Sequence, residues 1–574
     1  MQKLIIYLKN YAGELILTFV LLSLQAICNL LLPNYMSNIV DIGIMRNDTE
    51  YLFSTGIQMV LITIAGSVTS ILVCLFSARI ASGIACNLRR DLFNKIEFFS
   101  HYEFDKFSAS SLTTRCTNDV TQIQSFLLIA IRFIWFAPII AAGGFIMAEI
   151  HGNGMGWIIA LPVLLLLGII ILVFAISMPK FYSLQGLVDR LYLISRENLT
   201  GMMVIRAFNA CSYEKSRFDK ANGNLTRAIL FTNRTIAVLP GALMFIMNAS
   251  ALLIVWVFAK QIAESRIQAG DMIAFIQYTT TIIMAFVMLS MIFIMMPRAQ
   301  VSANRIAEVL KTDPKIKDPP HPLSFDSAQK GILEFRNVCF RYPNAEQDAL
   351  SNINFTLSPG KTTAIIGSTG AGKSSITYLA LRFYDVTSGA IYVDGRDIRT
   401  VTQNSLRGKI AYVPQNSVLL SGTIKSNINY GKNYALPEEE ILSVADTAQA
   451  MEFIMENPVG IEAPILQGGV NVSGGQKQRL AIARAIAKKS EILIFDDSFS
   501  ALDFKTDAAL RKKLREKESG ASILIIAQRI SAIKNADEIL VLENGKITGR
   551  GVHDELMKTC PEYAEIAETQ FAES

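Results

Sequence analysis

Gly367, Ser368, Thr369, Gly370, Ala371, Gly372, Lys373 and Ser374 follow one another in the spacing G-x-x-x-x-G-K-[ST], which suits a phosphate-binding loop. Glycines let backbone amides turn inward at a helix N-terminus, where N–H dipoles favour an anion. Lys373 is expected to neutralise the β/γ-phosphates, and the Ser374 hydroxyl to ligate Mg²⁺. The context fits the motif: the apolar run Thr363 to Ile366 reads as a buried strand, and Ser375 to Arg382 can open a helix.

Positioning such a loop takes a domain, and 574 residues allow more than one. A hydrophobic content of 51% and a mean hydropathy of +0.35 exceed those of ordinary soluble proteins, so membrane spans are expected. The net charge is +5. Residues 331–574 carry 27 Lys and Arg against 29 Asp and Glu, so the basic excess lies in the first 330 residues and no nucleic-acid surface is indicated on the loop-bearing half. Seven scattered cysteines without C-x-x-C spacing argue against a disulfide framework and a zinc site. Met1 to Asn10 shows no small-residue cleavage site, so no removable signal is expected.

Charge-free stretches long enough to cross about 30 Å of hydrocarbon run over Leu15 to Val40, Tyr51 to Ala78, Trp157 to Met178, Thr235 to Ala259 and Met272 to Pro297. A sixth, roughly Phe126 to Ala148, contains Arg132, which can snorkel to the interface. The segments between spans two and three and between spans four and five are rich in Lys and Arg, which places them, both termini and the loop-bearing domain in the cytosol. Gln25, Asn29, Asn248 and Gln277 are polar groups at depth, and methionines such as Met244, Met288 and Met295 line the last two spans. Such amides are expected to face the bundle interior. Thioethers suit loosely defined apolar ligands but more commonly fill gaps. The Pro-rich stretch Asp313 to Pro322 reads as a linker, giving a membrane domain over 1–310, a linker over 311–330 and a nucleotide-binding domain over 331–574.

Arg115-Cys-Thr-Asn-Asp-Val120 and Glu197 to Phe208 resemble the intracellular loops of ABC exporters with six long helices per half. The second half carries the resemblance further. Asn471-Val-Ser-Gly-Gly-Gln-Lys-Gln-Arg479 matches the ABC signature, Tyr412-Val-Pro-Gln415 resembles the Q-loop, and Ser500-Ala-Leu-Asp503 the D-loop. The fold implied is six long membrane helices, all-α, followed by an α/β P-loop ATPase domain. Short coupling helices are implied near Phe104 to Ser111 and Ala207 to Lys215. Tyr342, 25 residues before Gly367, stands where the family stacks an aromatic ring on adenine. Asp496, ending the apolar strand that begins at Glu491, is the implied Walker B carboxylate for Mg²⁺, with Ser374 and the Gln415 amide as its other metal contacts. Ser473, Gly474, Gly475 and Gln476 open a helix and are implied to bind the phosphates of ATP held by another subunit.

Three positions depart from the family pattern. Asp497 stands where efficient members have a Glu that polarises the attacking water, and it is one methylene shorter. A misplacement of about 1 Å can lose on the order of a hundredfold in rate. Gln528 replaces the switch histidine and cannot become cationic. Gln467, before the signature, replaces a common Glu. With Gln415, Asp497 and Gln528 form the candidate catalytic set. A weak Walker B end beside an intact signature resembles the degenerate-site subunit of a heterodimeric, multidrug-type exporter in the cytoplasmic membrane. The expected partners are a homologous half-transporter, membrane lipid and lipophilic or amphiphilic substrates; the expected cofactors are ATP and Mg²⁺. Alternatives are a homodimeric lipid or peptide flippase, and an importer of a metal chelate built on the same fold.

Overall fold

The computed structural model describes residues 7–152, 154–264, 266–325, 330–343, 345–431 and 436–572. The first six residues of the N-terminal stretch lie outside the described residues. Two compact units emerge, 1–97 with 109–312, and 98–108 with 313–574.

The first unit is helical. Helix α1 (Ala12–Asn38) runs into a π-helical turn, Ile39–Ile44, and α2 (Thr49–Glu97) follows. After a short excursion that contains α3 (His101–Lys106), a helical turn (Ala109–Thr114) and a π-helical turn (Arg115–Asp119) lead into α4 (Val120–Gly152). Then come α5 (Trp157–Thr200), the short α6 (Met202–Ala207), α7 (Cys211–Ala263) and α8 (Ala269–Lys311). Six of these helical stretches are long and apolar enough to cross a membrane. Burial falls on one stripe of each, for example Ile80, Ala81, Ile84, Leu88 and Leu92 on α2, while Leu61, Ile64 and Ile71 stay exposed as lipid requires of a span.

The π turn at Arg115–Asp119 widens the helix by a residue and turns its polar side chains onto α8. There Asp119 accepts from the buried Ser302 hydroxyl at 2.7 Å, and Arg115 donates to the Arg305 carbonyl and the Glu308 carboxylate, both at 2.9 Å. The polar groups at depth divide. Asn248 is exposed and donates to the Met244 carbonyl of its own helix at 2.8 Å. Met288 and Met295 pack as fillers against buried residues of α1, α4 and α8, whereas Met244 is exposed.

The second unit begins with α3 (His101–Lys106), four residues after α2 ends. Its start is set by Ser100, whose N–H and hydroxyl both donate to the Glu103 carboxylate, at 2.8 and 2.5 Å. That cap places the helix a few residues ahead of the Phe104–Ser111 expectation. In the segment between spans four and five the short helix also comes early, at Met202–Ala207, and a turn with Asn209 at φ +53° separates it from α7.

The rest of this unit is a layered α/β domain. Strands β1 (Leu333–Phe340), β2 (Leu350–Leu357), β4 (Ser388–Val393) and β5 (Arg396–Asp397) form an antiparallel sheet in the order β2-β1-β4-β5. The central sheet has the order β12-β11-β3-β10-β9-β6 and uses β3 (Thr362–Ile366), β6 (Ile410–Val413), β9 (Ile492–Asp496), β10 (Ser522–Ile526), β11 (Glu538–Glu543) and β12 (Lys546–Gly551). A two-stranded ribbon, β7 (Gly422–Thr423) with β8 (Pro464–Ile465), completes the strands among the described residues. Strands β3, β9 and β10 are buried at every position, which is why they read as continuous apolar runs and pair in parallel. Ligands of such sheets bind beyond the strands' C-terminal ends, where β3, β9, β10 and β6 deliver Gly367, Asp497, Ala527 and the Tyr412–Gln415 turn.

Candidate functional site

The loop Gly367–Gly372 joins β3 to α9 (Lys373–Ala380). Gly372 takes φ +101°, and a Cβ there would press on the Ala349 carbonyl oxygen and Leu350 at 2.8 Å, so both conformation and space demand glycine. Lys373 turns back over the loop and donates to the carbonyls of Gly367 and Ser368, each at 2.7 Å. Burial pushes its ammonium below the ordinary lysine value, against the opposing charges of Asp497 and Asp496.

Asp496 is the centre of the polar cluster. The Ser374 hydroxyl donates to its Oδ1 at 3.4 Å and the Tyr412 hydroxyl to its Oδ2 at 3.3 Å, with Thr377 Oγ1 at 3.5 Å. Burial raises this carboxyl above the usual range; the hydroxyls oppose the rise, and the Asp497 charge adds to it. Asp497 follows at φ +48°, a left-handed turn that Asp tolerates better than most residues. Its Oδ2 accepts from the Gln415 amide at 3.2 Å, which joins the ends of β9 and β6. Burial raises Asp497 as well, with Gln415, Lys373, Arg529 and the Gln528 backbone amide pulling the other way. Lys373, Ser374, Gln415, Asp496, Asp497 and the Gln528 peptide therefore meet at one place, the residue set named from the sequence for phosphate, metal and water.

Tyr342 is half-buried, and its hydroxyl shares a 2.9 Å hydrogen bond with Ser375 beside the loop. Its ring meets Phe340 at 4.7 Å and Tyr384 at 5.4 Å, both edge-on. Ser473, Gly474, Gly475 and Gln476 form a separate cluster at the start of α10 (Gly474–Ala487). Ser473 N–H donates to Gln476 Oε1 at 2.9 Å, and Gln476 N–H donates back to the Ser473 hydroxyl at 3.3 Å. Gln478 on this helix accepts from the Ala501 amide at 3.2 Å, tying the signature to the Ser500–Asp503 turn.

Several contributors escaped the sequence reading. Tyr412 stands inside the quoted Q-loop stretch, yet its hydroxyl bond to Asp496 depends on β6 pairing with β9, which no local pattern reveals. Tyr384 donates to the Asp105 carboxylate of α3 at 2.9 Å, and its ring meets Tyr102 at 4.9 Å, while His101 packs on Phe383 at 4.7 Å.

The sequence description "ABC transporter transmembrane region" matches residues 15–302, and "ABC transporter" matches residues 350–500. The chain belongs to the ABC transporter family. It has the make-up of an exporter half-transporter, with six apolar helical stretches and one ATP-binding domain of the ATPase family. The transporter is 36% identical to the ABC transporter ATP-binding protein YfiB of Bacillus subtilis, over 100% of this chain and 99% of the relative. It is 31% identical to an ATP-dependent lipid A-core flippase of Pseudomonas fluorescens, covering 90% of this chain and 86% of that one. Among solved structures it is similar to a bacterial Atm1-family ABC exporter with ATP bound, at 25% identity and a TM-score of 0.82, covering 98% of this chain and 99% of that chain.

Proposed function

We propose that this transporter subunit works as one half of a heterodimeric exporter of lipophilic or amphiphilic molecules, holding ATP·Mg²⁺ at a slow site of its own and lending its signature to the partner's faster site. The observation that carries this reading is Asp497: a short carboxylate, tethered to Gln415, at the position from which a water must be activated. Gln528 beside it has no charge to offer a γ-phosphate. In this reading Tyr342 stacks on adenine, residues Gly367–Ser374 wrap the phosphates, and Ser473 with Gly475 faces ATP bound by the other half.

The donor set favours Mg²⁺. Ser374, Gln415 and Asp496 present only oxygen ligands, the preference of a hard cation that keeps several waters. Asp496 and Asp497 are both penalised by burial when ionised, and a divalent cation relieves that penalty. When bound, the cation would neutralise charge on the β- and γ-phosphates.

The Lys- and Arg-rich segments after spans two and four support an ATPase domain and termini in the cytosol, with the membrane domain over 1–310 and the ATPase domain over 331–574. The flippase relative favours a lipid-like amphiphile as substrate, and it also motivates a second reading, a homodimeric lipid flippase. Purifying the chain alone and co-expressed with a homologous half-transporter separates the two. The heterodimer reading expects weak ATPase activity from the chain alone and strong activity from the pair. Robust activity of a homodimer, abolished by Asp497→Ala, supports the flippase reading instead.

A further inference from the structure

The C-terminal helix α12 (Pro561–Ala572; α11 is Ile530–Ile533) reaches the Gln528 segment through Gln570. Gln570 Nε2 donates to the Gln528 carbonyl at 2.7 Å, and Gln570 Oε1 accepts from the Ile530 amide at 2.8 Å. One side-chain amide thus serves a carbonyl and an N–H two residues apart, as a neighbouring strand would. Reversing the amide would set donor against donor and acceptor against acceptor, so its orientation is fixed by its partners. Ile530 opens α11, and its N–H is among those that a helix cannot satisfy internally.

Gln570 is held where it is by the helix that carries it. Tyr563, Ala567 and Gln570 recur at spacings of four and three, one stripe of an α-helix. The first two are fully buried, and the Tyr563 hydroxyl shares a 2.8 Å bond with His553 Nδ1. Gln570 is the polar end of that apolar stripe. The same helix lines an open pocket of about 350 Å³ together with Gly367 and Ser368 of the phosphate loop. On its other side, the Asp497 N–H donates to the Ile526 carbonyl at 2.8 Å, two residues before Gln528, and the Gln528 amide helps to hold the Asp497 carboxyl pKa down. The 526–530 segment is thus tied to Asp497 at Ile526 and to Gln570 at Gln528 and Ile530.

We propose that Gln570 is a positioning residue for the ATP site, fixing the Gln528 peptide and through it the Asp497 carboxylate, so that the C-terminal helix is a working part of the nucleotide site. This rests on the reading that Gln528 and Asp497 face the γ-phosphate. A neutral Gln at the switch has no charge to draw the loop onto ATP, so support from behind has more to do.

The test uses the full-length protein in nanodiscs, with its partner half, and the variants Gln570→Ala and Gln570→Glu. Hydrogen exchange over 526–533 should accelerate about fivefold to tenfold at the Ile530 amide in Gln570→Ala, the fold-change of one net hydrogen bond. In Gln570→Glu an acceptor remains, so protection of Ile530 should return while the Gln528 carbonyl loses its donor. Release of a fluorescent ATP analogue, followed by stopped flow, should speed up in both variants by a similar factor with association unchanged. Unaltered exchange at Ile530 in Gln570→Ala overturns the proposal, as does altered exchange with unaltered nucleotide release. Asp497→Ala is the control for the parent reading. If it changes release and Gln570→Ala does not, only the role of Gln570 falls; if neither changes release, the reading of the site falls and this proposal with it.

Discussion

The Gln415 side-chain amide donates to Asp497 Oδ2 at 3.2 Å, bridging two strand ends that lie 82 residues apart in sequence. The bond neutralises no charge, and it commits Oδ2 to a neighbour. Lengthening the side chain by one methylene should advance the carboxylate without dismantling the site. Asp497→Glu is expected to raise steady-state ATP turnover at this site on the order of tenfold or more. Turnover in the partnered protein, with the other site silenced, measures it.

Adenine affinity should depend on the ring of Tyr342 more than on its hydroxyl. Aromatic stacking contributes about 0.5–1.5 kcal/mol, so Tyr342→Ala should weaken ATP binding roughly threefold to tenfold. Tyr342→Phe keeps the ring and gives up the 2.9 Å bond to Ser375, and its affinity should stay within about threefold of the parent. Fluorescence titration with an ATP analogue distinguishes the two.

Stability without nucleotide should fall as pH rises through the acid range. Asp496 has a raised carboxyl pKa in the folded protein, chiefly because of burial, so the native state holds its proton more tightly than the unfolded chain does. Stability is therefore greatest below the unfolded carboxylate value, declines as pH climbs through the raised folded value, and stays lower above it. Asp496→Asn removes that loss. Its thermal midpoint without nucleotide should match or exceed the parent's at pH 7, with the difference shrinking toward pH 4. Adding Mg²⁺·ATP should raise the parent's midpoint and leave the variant's nearly unmoved; differential scanning fluorimetry over a pH series follows both.

Breaking the bond between Tyr384 and Asp105 should uncouple more than it unfolds. Tyr384 is buried and its hydroxyl donates to a carboxylate at 2.9 Å, a class of bond whose net value is about 1.5–3 kcal/mol. Tyr384→Phe keeps the packing on Tyr102 and Tyr342 and removes that bond. Substrate transport in proteoliposomes should drop severalfold while ATP affinity changes little. Equal losses in both would count against a coupling role.

How much of this could be read beforehand depended on whether a feature was local. The loop from Gly367 to Ser374, the apolar strand ending at Asp496 and the six spans are each written in one continuous stretch, and the fold carries all of them. Tyr412 and Gln570 act through partners 84 and 42 residues away, and nothing in their own neighbourhoods distinguishes them from packing residues. The start of α3 was written locally, in Ser100 and Glu103, and a capping-box reading of that pair would have placed it. Asn248 is exposed in this chain, and the Met244 carbonyl of its own helix satisfies its amide, an acceptor that the amide's chemistry alone did not indicate.

The grouping of residues 98–108 with 313–574 means that the chain passes between the two units three times, after residues 97, 108 and 312. Only the last of these crossings is a peptide link to residues 313–574; residues 98–108 stay part of the 1–312 stretch and join the ATPase residues by packing, the Tyr384 bond to Asp105 included. A protease that severs the Pro-rich segment would therefore leave the ATPase residues attached to that loop by noncovalent contacts alone.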